Sequence, residues 1–393
     1  MYNRCLKLSL DKKQTAFLWG ARKTGKSTYL KELYPNSIYY DLLKTDLQLK
    51  YLKKSSDFRE EILGLEKDKL ALPIIIDEIQ KVPVLLDEIH WLIENTDCYF
   101  ILCGSSTRKL RIAGTNLLGG RAIKYNFYLL VYPEIKKDFN LLKIFNNGLI
   151  PSHFISNNPR KLLKAYVEDY LTNEIRVEGL VRNIAAFGRF MDSIAFSHGE
   201  LLNYSNIARD CSIDAKTVKE YYQILVDTLV GYLLYPYSKK VSREIISSVP
   251  KFYFFDVGVA NNITQHQFDN TKGQEAGKAL EHYIFTELKA YIGLNDLDYR
   301  INYWRTKTGL EVDFIISTVR GNKILPIEVK ISENVHNSEL RGIKSFMEEH
   351  KVHKGYIVCL EERLRKITWD TQEIDIIPLQ QFLEKLWNNE IIF

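Results

Sequence analysis

In the stretch GARKTGKST, Gly20 to Thr28, two glycines, a lysine and a serine stand at the spacing GxxxxGK[ST]. The chemistry open to such a loop is phosphate binding. Gly20 and Gly25 let the backbone N–H groups of Ala21, Arg22, Lys23, Thr24 and their neighbours turn inward around a phosphate at a helix N-terminus. Lys26 is then expected to reach the β- and γ-phosphates, and Ser27 to hold Mg²⁺ beside them. A second stretch, PIIIDEIQ, ends an apolar run in Asp77 and Glu78. Asp77 suits the same Mg²⁺, and Glu78 suits polarising the water that attacks the terminal phosphate. Taken singly, a glycine turn and two acids solvating a strand end are plain alternatives; together the two stretches point to triphosphate hydrolysis.

A different constellation lies late in the chain. Glu281 falls in GQEAGKALEHYIFTELKAYIG, Asp313 in GLEVDFIIS, and Glu328 and Lys330 in ILPIEVK. Glu328 and Lys330, two apart on a strand, project to the same face. Asp313 and Glu328 are placed to hold a divalent ion, Mg²⁺ or Mn²⁺, against a phosphodiester; Glu281 would extend that site and Lys330 would position water. Helix Glu, strand Asp, strand ExK is the PD-(D/E)xK order of restriction-endonuclease-like folds. The other reading of these residues is a solvated strand face with cross-strand ion pairs, and the fold also serves as a non-cleaving binding scaffold.

These residues need elements to carry them. TAFLW (15–19), the Ile74–Ile76 run and CYFILCGSS (98–106) read as buried parallel strands, and STYLKELY (27–34) as the helix after the first loop. Ser105 or Ser106 then reads as a γ-phosphate sensor or as ordinary turn chemistry. Arg121, after a glycine pair, reads as an arginine finger acting in its own subunit or a neighbouring one, or as a surface ion-pair partner.

The succession GARKTGKSTYLKEL, IIIDEIQKVPVLLDEIHWLIE, FILCGSS and LLGGRAIKY resembles a bacterial and archaeal family of AAA-type P-loop ATPases that continue into a shared C-terminal domain. DEIQKVP is its most specific phrase. The resemblance implies an AAA-like fold with ATP as nucleotide and covers most of the chain. GLIP (148–151) with Glu174, and FYFFDVGVANNI (252–263), are similar to family phrases but carry no chemistry of their own.

Between the two constellations, LLNYSNIARDCSIDAKTVKEYYQILVDTLVGYLLYPY (201–237) reads as a helix-turn-helix with Asp214 as N-cap and GYLLYPY as a wing. A winged helix of this kind either presents Lys216, Thr217 and Lys219 to DNA or serves as a packing and protein-docking module.

The bulk composition is permissive. The chain has 393 residues, 46% hydrophobic and 26% charged, with a net charge of +5, which predicts a multi-domain globular protein and allows a nucleic-acid partner. Five cysteines without a CxxC pair argue against a disulfide framework or a zinc ribbon. With no signal-like leader and no apolar run of roughly 20 residues, the expectation is a cytoplasmic protein without membrane contact.

The expected organisation is α/β throughout: an AAA-type ATPase domain with a parallel sheet over 1–140, a helical lid and winged-helix segment over 141–245, and a restriction-endonuclease-like domain over 246–393. The expected activity is Mg²⁺-dependent ATP hydrolysis coupled to DNA. The alternatives are an ATP-regulated metal-dependent nuclease and a nucleotide-dependent adaptor for a protein partner; a finger in trans would also require a homo-oligomer.

Overall fold

The computed structural model describes residues 2–10, 14–108, 110, 118–169, 183–195, 197–238 and 249–393. Contacts divide the chain into two compact units. The N-terminal unit gathers Asn3–Leu129 with Ile224–Val230, and the C-terminal unit gathers Tyr2, Leu130–Gln223 and Gly231–Phe393.

In the N-terminal unit the strands are β1 (Thr15–Trp19), β2 (Tyr39–Asp41), β3 (Ile74–Asp77), β4 (Phe100–Gly104) and β5 (Ala122–Asn126), ordered β2-β3-β4-β1-β5. All neighbours are parallel. Buried residues run unbroken along β1, β3 and β4, as strands covered on both faces require. The one polar residue of β1, Thr15, is accommodated because its hydroxyl accepts the Phe100 N–H at 3.1 Å. Helices α1 (Lys26–Leu33), α2 (Thr45–Lys53), α3 (Ser56–Leu63) and α4 (Leu85–Asn95) complete the layer. The face of α4 carrying Leu85, Ile89 and Leu92 joins Phe17, Phe58 and Ile76 in a single core. Because all strands point the same way, the loops after β1, β3 and β4 emerge at one edge of the sheet, where such folds place ligands.

The C-terminal unit begins with helical elements, among them α5 (Ile184–Ala195) and α6 (Tyr204–Cys211), and with α7 (Ala215–Asp227), whose last residues belong to the other unit. Asn203 caps α6 by accepting from Asn206 N, and Asp214 caps α7 by accepting from Thr217 N at 2.9 Å, as its position in the sequence predicts. Strands β6 (Gly231–Leu234) and β7 (Lys251–Phe254) then pair antiparallel, so the stretch expected as a wing, 231–237, opens with β6; residues 239–248 lie outside the described residues.

Next come α8 (Val257–Ile263), the long α9 (Gln274–Leu294), and a six-stranded mixed sheet. Its strands are β8 (Tyr299–Arg305), β9 (Glu311–Thr318), β10 (Ile324–Val329), β11 (Lys354–Cys359), β12 (Arg365–Trp369) and β13 (Gln372–Pro378), ordered β12-β13-β11-β10-β9-β8. Helix α10 (Arg341–His350) buries Ile343, Phe346 and Met347 in this unit's core.

The GLIP and FDVG phrases, chemically silent in the sequence, meet here. Asp256 is fully buried; its Oδ1 caps α8 by accepting Val259 N at 2.8 Å, and its Oδ2 accepts Leu149 N at 2.6 Å. Glu174 lies outside the described residues. Among those described, no helix is long and apolar enough to cross a membrane.

Candidate active site

The loop from Gly20 to Gly25 leads straight from β1 into α1, with Gly25 at the N-cap. Lys26 is buried, and its ammonium donates to the carbonyls of Gly20 at 2.6 Å and Ala21 at 3.0 Å. Burial pulls its pKa below the usual lysine value, against the pull of Glu78 and Asp77 in the other direction. Thr24 braces the loop by donating to Ala21 O at 2.8 Å, while Lys23 and Thr28 are exposed.

Across the sheet edge, Ser27 Oγ donates to Asp77 Oδ2 at 2.6 Å. Two hard oxygen donors in contact, one of them ionisable, fit a Mg²⁺ ion. Tyr39, from β2, donates to the same Asp77 oxygen. Burial first and the charge of Asp77 second hold the Tyr39 hydroxyl well above the usual phenol range.

Glu78 occupies the left-handed backbone region at φ 58° and is buried. Its Oε2 accepts from Ser105 Oγ at 3.0 Å and from Gln80 Nε2, and the same Gln80 nitrogen reaches Ser105 Oγ at 3.1 Å. Arg22 Nε donates to Ser105 Oγ at 3.5 Å. Ser105 therefore touches the water-activating candidate, whereas Ser106 turns to accept from Arg108 N. Beyond it, Thr107 N donates to Asp227 O at 3.0 Å and Arg108 pairs with the Asp227 carboxylate at 3.2 Å.

Arg121 is the expected residue that this cluster does not include. It pairs with Glu94 on an exposed surface, the second of the two roles open to it in the sequence. Gln80 and Tyr39 were not singled out by sequence reasoning. Gln80 carried a signal, since it belongs to the DEIQKVP phrase; Tyr39 carried none.

In the C-terminal unit, Glu281, Asp313, Glu328 and Lys330 line one cleft of about 560 Å³. Phe314 pairs with Ile327 across β9 and β10, which brings Asp313 against Glu328. Asp313 Oδ2 accepts Val329 N at 2.7 Å, Glu328 Oε2 accepts Asp313 N at 3.3 Å, and Lys330 donates to Glu328 Oε1 at 2.5 Å. Burial first, then mutual repulsion with Glu328, raises the Asp313 carboxyl well above its usual value; burial likewise raises Glu328, with Lys330 opposing. A pair of buried acids that repel each other is a pair that one added cation relieves. Among the described residues, however, no three His, Cys, Asp or Glu side chains are gathered as a ready metal nest.

Lys251, which sequence reasoning passed over, also faces this cleft from β7. It is 4% exposed and pairs with Glu281 at 3.2 Å and with Glu311 at 2.5 Å. Burial works to lower its pKa, but Glu281, Tyr253, Asp313 and Glu311 outweigh burial and hold it well above the lysine range.

Behind Glu281 lies a closed imidazole pair. His282 Nε2 donates to Phe254 O at 2.7 Å, so its Nδ1 accepts from His198 Nε2 at 3.1 Å, and His198 Nδ1 accepts from Phe254 N at 3.4 Å. Each ring is satisfied only when neutral. Burial lowers His282 to about 4, and burial with His282 lowers His198 well below its usual value. The unfolded rings titrate near about 6.5, so between there and about 4 the unfolded chain binds more protons. The stability these rings contribute is thus present above about pH 6.5 and is lost as pH falls, by about 1.4 kcal/mol per pH unit for each proton. Urea midpoints measured from pH 7 to pH 4.5 are expected to show this slope, and His282→Gln to flatten it.

Against this geometry, residues 12–136 match a family described as an AAA domain. Residues 144–270 match a domain of unknown function (DUF8612), and residues 276–382 another (DUF4143). The chain is similar to an uncharacterized protein of Mycobacterium tuberculosis, at 23% identity over 249 residues covering 62% of this chain and 55% of that protein. The match thus spans little more than half the length of that relative. An uncharacterized protein of Methanocaldococcus jannaschii is 24% identical over 408 residues, covering 88% of this chain and 81% of that protein. Among solved structures, the Walker-type ATPase PABY2304 of Pyrococcus abyssi is 16% identical, with a TM-score of 0.38 over 65% of this chain and 92% of that one. The Orc1 protein of Aeropyrum pernix, solved in complex with DNA, is 12% identical with a TM-score of 0.23 over 65% of this chain and 87% of that one. The AAA match over residues 12–136 and the parallel five-stranded sheet agree with a P-loop ATPase fold for the N-terminal unit.

Proposed function

We propose that the chain is a Mg²⁺-dependent ATP hydrolase whose nucleotide state governs a C-terminal module acting on DNA. The observation that carries the hydrolytic part is the convergence of Lys26, Ser27, Asp77, Glu78 and Ser105 at one edge of the sheet. Residues 20–28 would wrap the phosphates, with Ser27 and Asp77 holding Mg²⁺. The ion supplies charge neutralisation on the phosphates when bound. Glu78 orients water and accepts its proton, Lys26 exchanges loop carbonyls for phosphate oxygens, and Ser105 reports the γ-phosphate to Glu78.

Coupling has a route in the N-terminal unit itself. Ser105 lies two residues before Thr107, and Thr107 and Arg108 hold Asp227, the last residue of α7. A shift of the β4 tip on hydrolysis would therefore reach the helix that opens with exposed Lys216 and Lys219. The order α6, turn, α7 and paired strands β6 and β7 supports reading this module as a winged helix on DNA. Arg121, exposed on its own subunit, is available as a finger toward a second copy in a homo-oligomer.

ATP turnover measured with and without duplex DNA tests the whole reading. DNA is expected to raise turnover several-fold in a salt-sensitive way, and Lys216→Glu with Lys219→Glu to abolish the increase but not the basal rate. Turnover indifferent to DNA, together with recovery of a stable protein partner, moves the reading to a nucleotide-dependent adaptor.

One observation favours a second reading. The grouping of Asp313, Glu328 and Lys330 in one cleft supports a nuclease with ATP as its control. Mg²⁺- or Mn²⁺-dependent cutting of DNA, lost in Asp313→Ala and in Lys330→Ala, is its expected signature; no cutting of single- or double-stranded DNA removes it.

A further inference from the structure

The restriction-endonuclease-like arrangement read from the sequence assigns Glu281 to a divalent ion along with Asp313 and Glu328. The donor set around Glu281 does not fit that role. Its Oε1 already takes the Lys251 ammonium at 3.2 Å and the Tyr253 hydroxyl. Lys251 bridges onward to Glu311 Oε1 at 2.5 Å, and the other oxygen of Glu311 takes Arg305 at 3.2 Å. Lys251 and Tyr253 are two apart on β7, so both aim at the same face, while Phe252 and Phe254 pack on the other. The Tyr303 ring stands 5.7 Å from the ammonium, adding an aromatic wall that favours a positive charge.

We propose that Lys251 is the resident cation of the Glu281 side of this cleft: its ammonium sits where a second divalent ion would sit, and Glu281 is its ion-pair partner and not a metal ligand. At most one divalent ion then has a place, between Asp313 and Glu328. The physical basis is competition for the same lone pairs. A hard divalent ion needs several oxygens at about 2.0–2.6 Å, and a nearly buried ammonium already bonded to two carboxylates excludes it both by volume and by charge. A fixed lysine differs from an ion in one further respect: chelators do not remove it, so the offset of these acids is permanent. A phosphodiester entering the cleft meets acids already offset by Lys251, together with the partly exposed Lys330, before any metal is recruited.

The test counts ions. Full-length, nucleotide-free protein carrying Asp77→Asn, which silences the ATP-side position, is titrated with Mn²⁺ and the bound ion counted by electron paramagnetic resonance. Glu281→Gln is expected to leave the count unchanged, because Glu281 holds no ion. Lys251→Gln is expected to gain one Mn²⁺ per chain, and the Lys251→Gln, Glu281→Gln double variant to lose that gain. A count that falls in Glu281→Gln alone overturns the proposal, as does a folded Lys251→Gln with no gain. If Lys251→Gln does not fold, the Glu281→Gln arm decides. Loss of all Mn²⁺ in Asp313→Asn bears on the nuclease reading separately, so the two can fail independently.

Discussion

Replacing Glu78 with Gln is expected to lower ATP turnover by about 10²–10⁴-fold while leaving nucleotide binding in place. The amide keeps the size of the carboxylate and still accepts from Ser105 and Gln80, so the buried cluster survives. What disappears is the capacity to take a proton from water. Lys26→Ala should behave differently, because the ammonium that leaves Gly20 and Ala21 for the phosphates is missing and binding itself weakens. Phosphate release in the steady state and equilibrium binding of ATP, measured side by side, separate the two effects. Hydrolysis as the output of this site is falsified if both variants turn over ATP at the parental rate.

The second large effect concerns folding. Gly148→Ala is expected to destabilise the C-terminal unit by about 2–6 kcal/mol, a large part of a typical domain's net stability. Gly148 sits at φ 71° and ψ −169°, a region only glycine occupies comfortably, and an added Cβ would lie 2.1 Å from Asp256 Oδ1. The strain and the clash can be separated. Gly273 has φ 88° and nothing within 4 Å of an added Cβ, so Gly273→Ala carries the backbone strain alone, about 1–3 kcal/mol. Denaturant midpoints of the two variants should differ in that order; equal losses would show that the Asp256 clasp contributes nothing. Asp256→Asn tests the clasp from the other side, since burial raises this acid to about 6 while the N–H groups of Leu149 and Val259 oppose the rise.

The legibility of these sites in the sequence depends on how far apart the cooperating residues stand. The loop Gly20–Thr28, and Asp77 with Glu78, are contiguous stretches whose spacing suits a phosphate ligand, so the residue types alone suggest the chemistry. Asp313, Glu328 and Lys330 were legible for a related reason, because adjacent strands convert short spacings into proximity. Lys251 was not: its partners are Glu281 and Glu311, on a helix and a strand far along the chain, and KFYF reads as ordinary apolar strand. Gln80 and Tyr39 act through hydrogen bonds to residues already identified, and nothing in their own periodicity marks them. Arg121 shows the converse. A lone arginine after a glycine pair suits a finger or a surface pair equally, and only the position of Glu94 distinguishes what it does within one subunit.

The sharing of Ile224–Val230 with the N-terminal unit bears on how this protein can be taken apart. Leu229 packs against the core of that unit and Asp227 is held by Arg108, yet the stretch is encoded almost a hundred residues after Leu129. A fragment ending at Leu129 therefore lacks part of its own core and leaves Arg108 without its acid, so it should be less soluble and more readily proteolysed than the full chain. Insertion, exchange and deletion of whole modules are constrained in the same way: no single cut in the gene separates an intact N-terminal unit from the C-terminal unit.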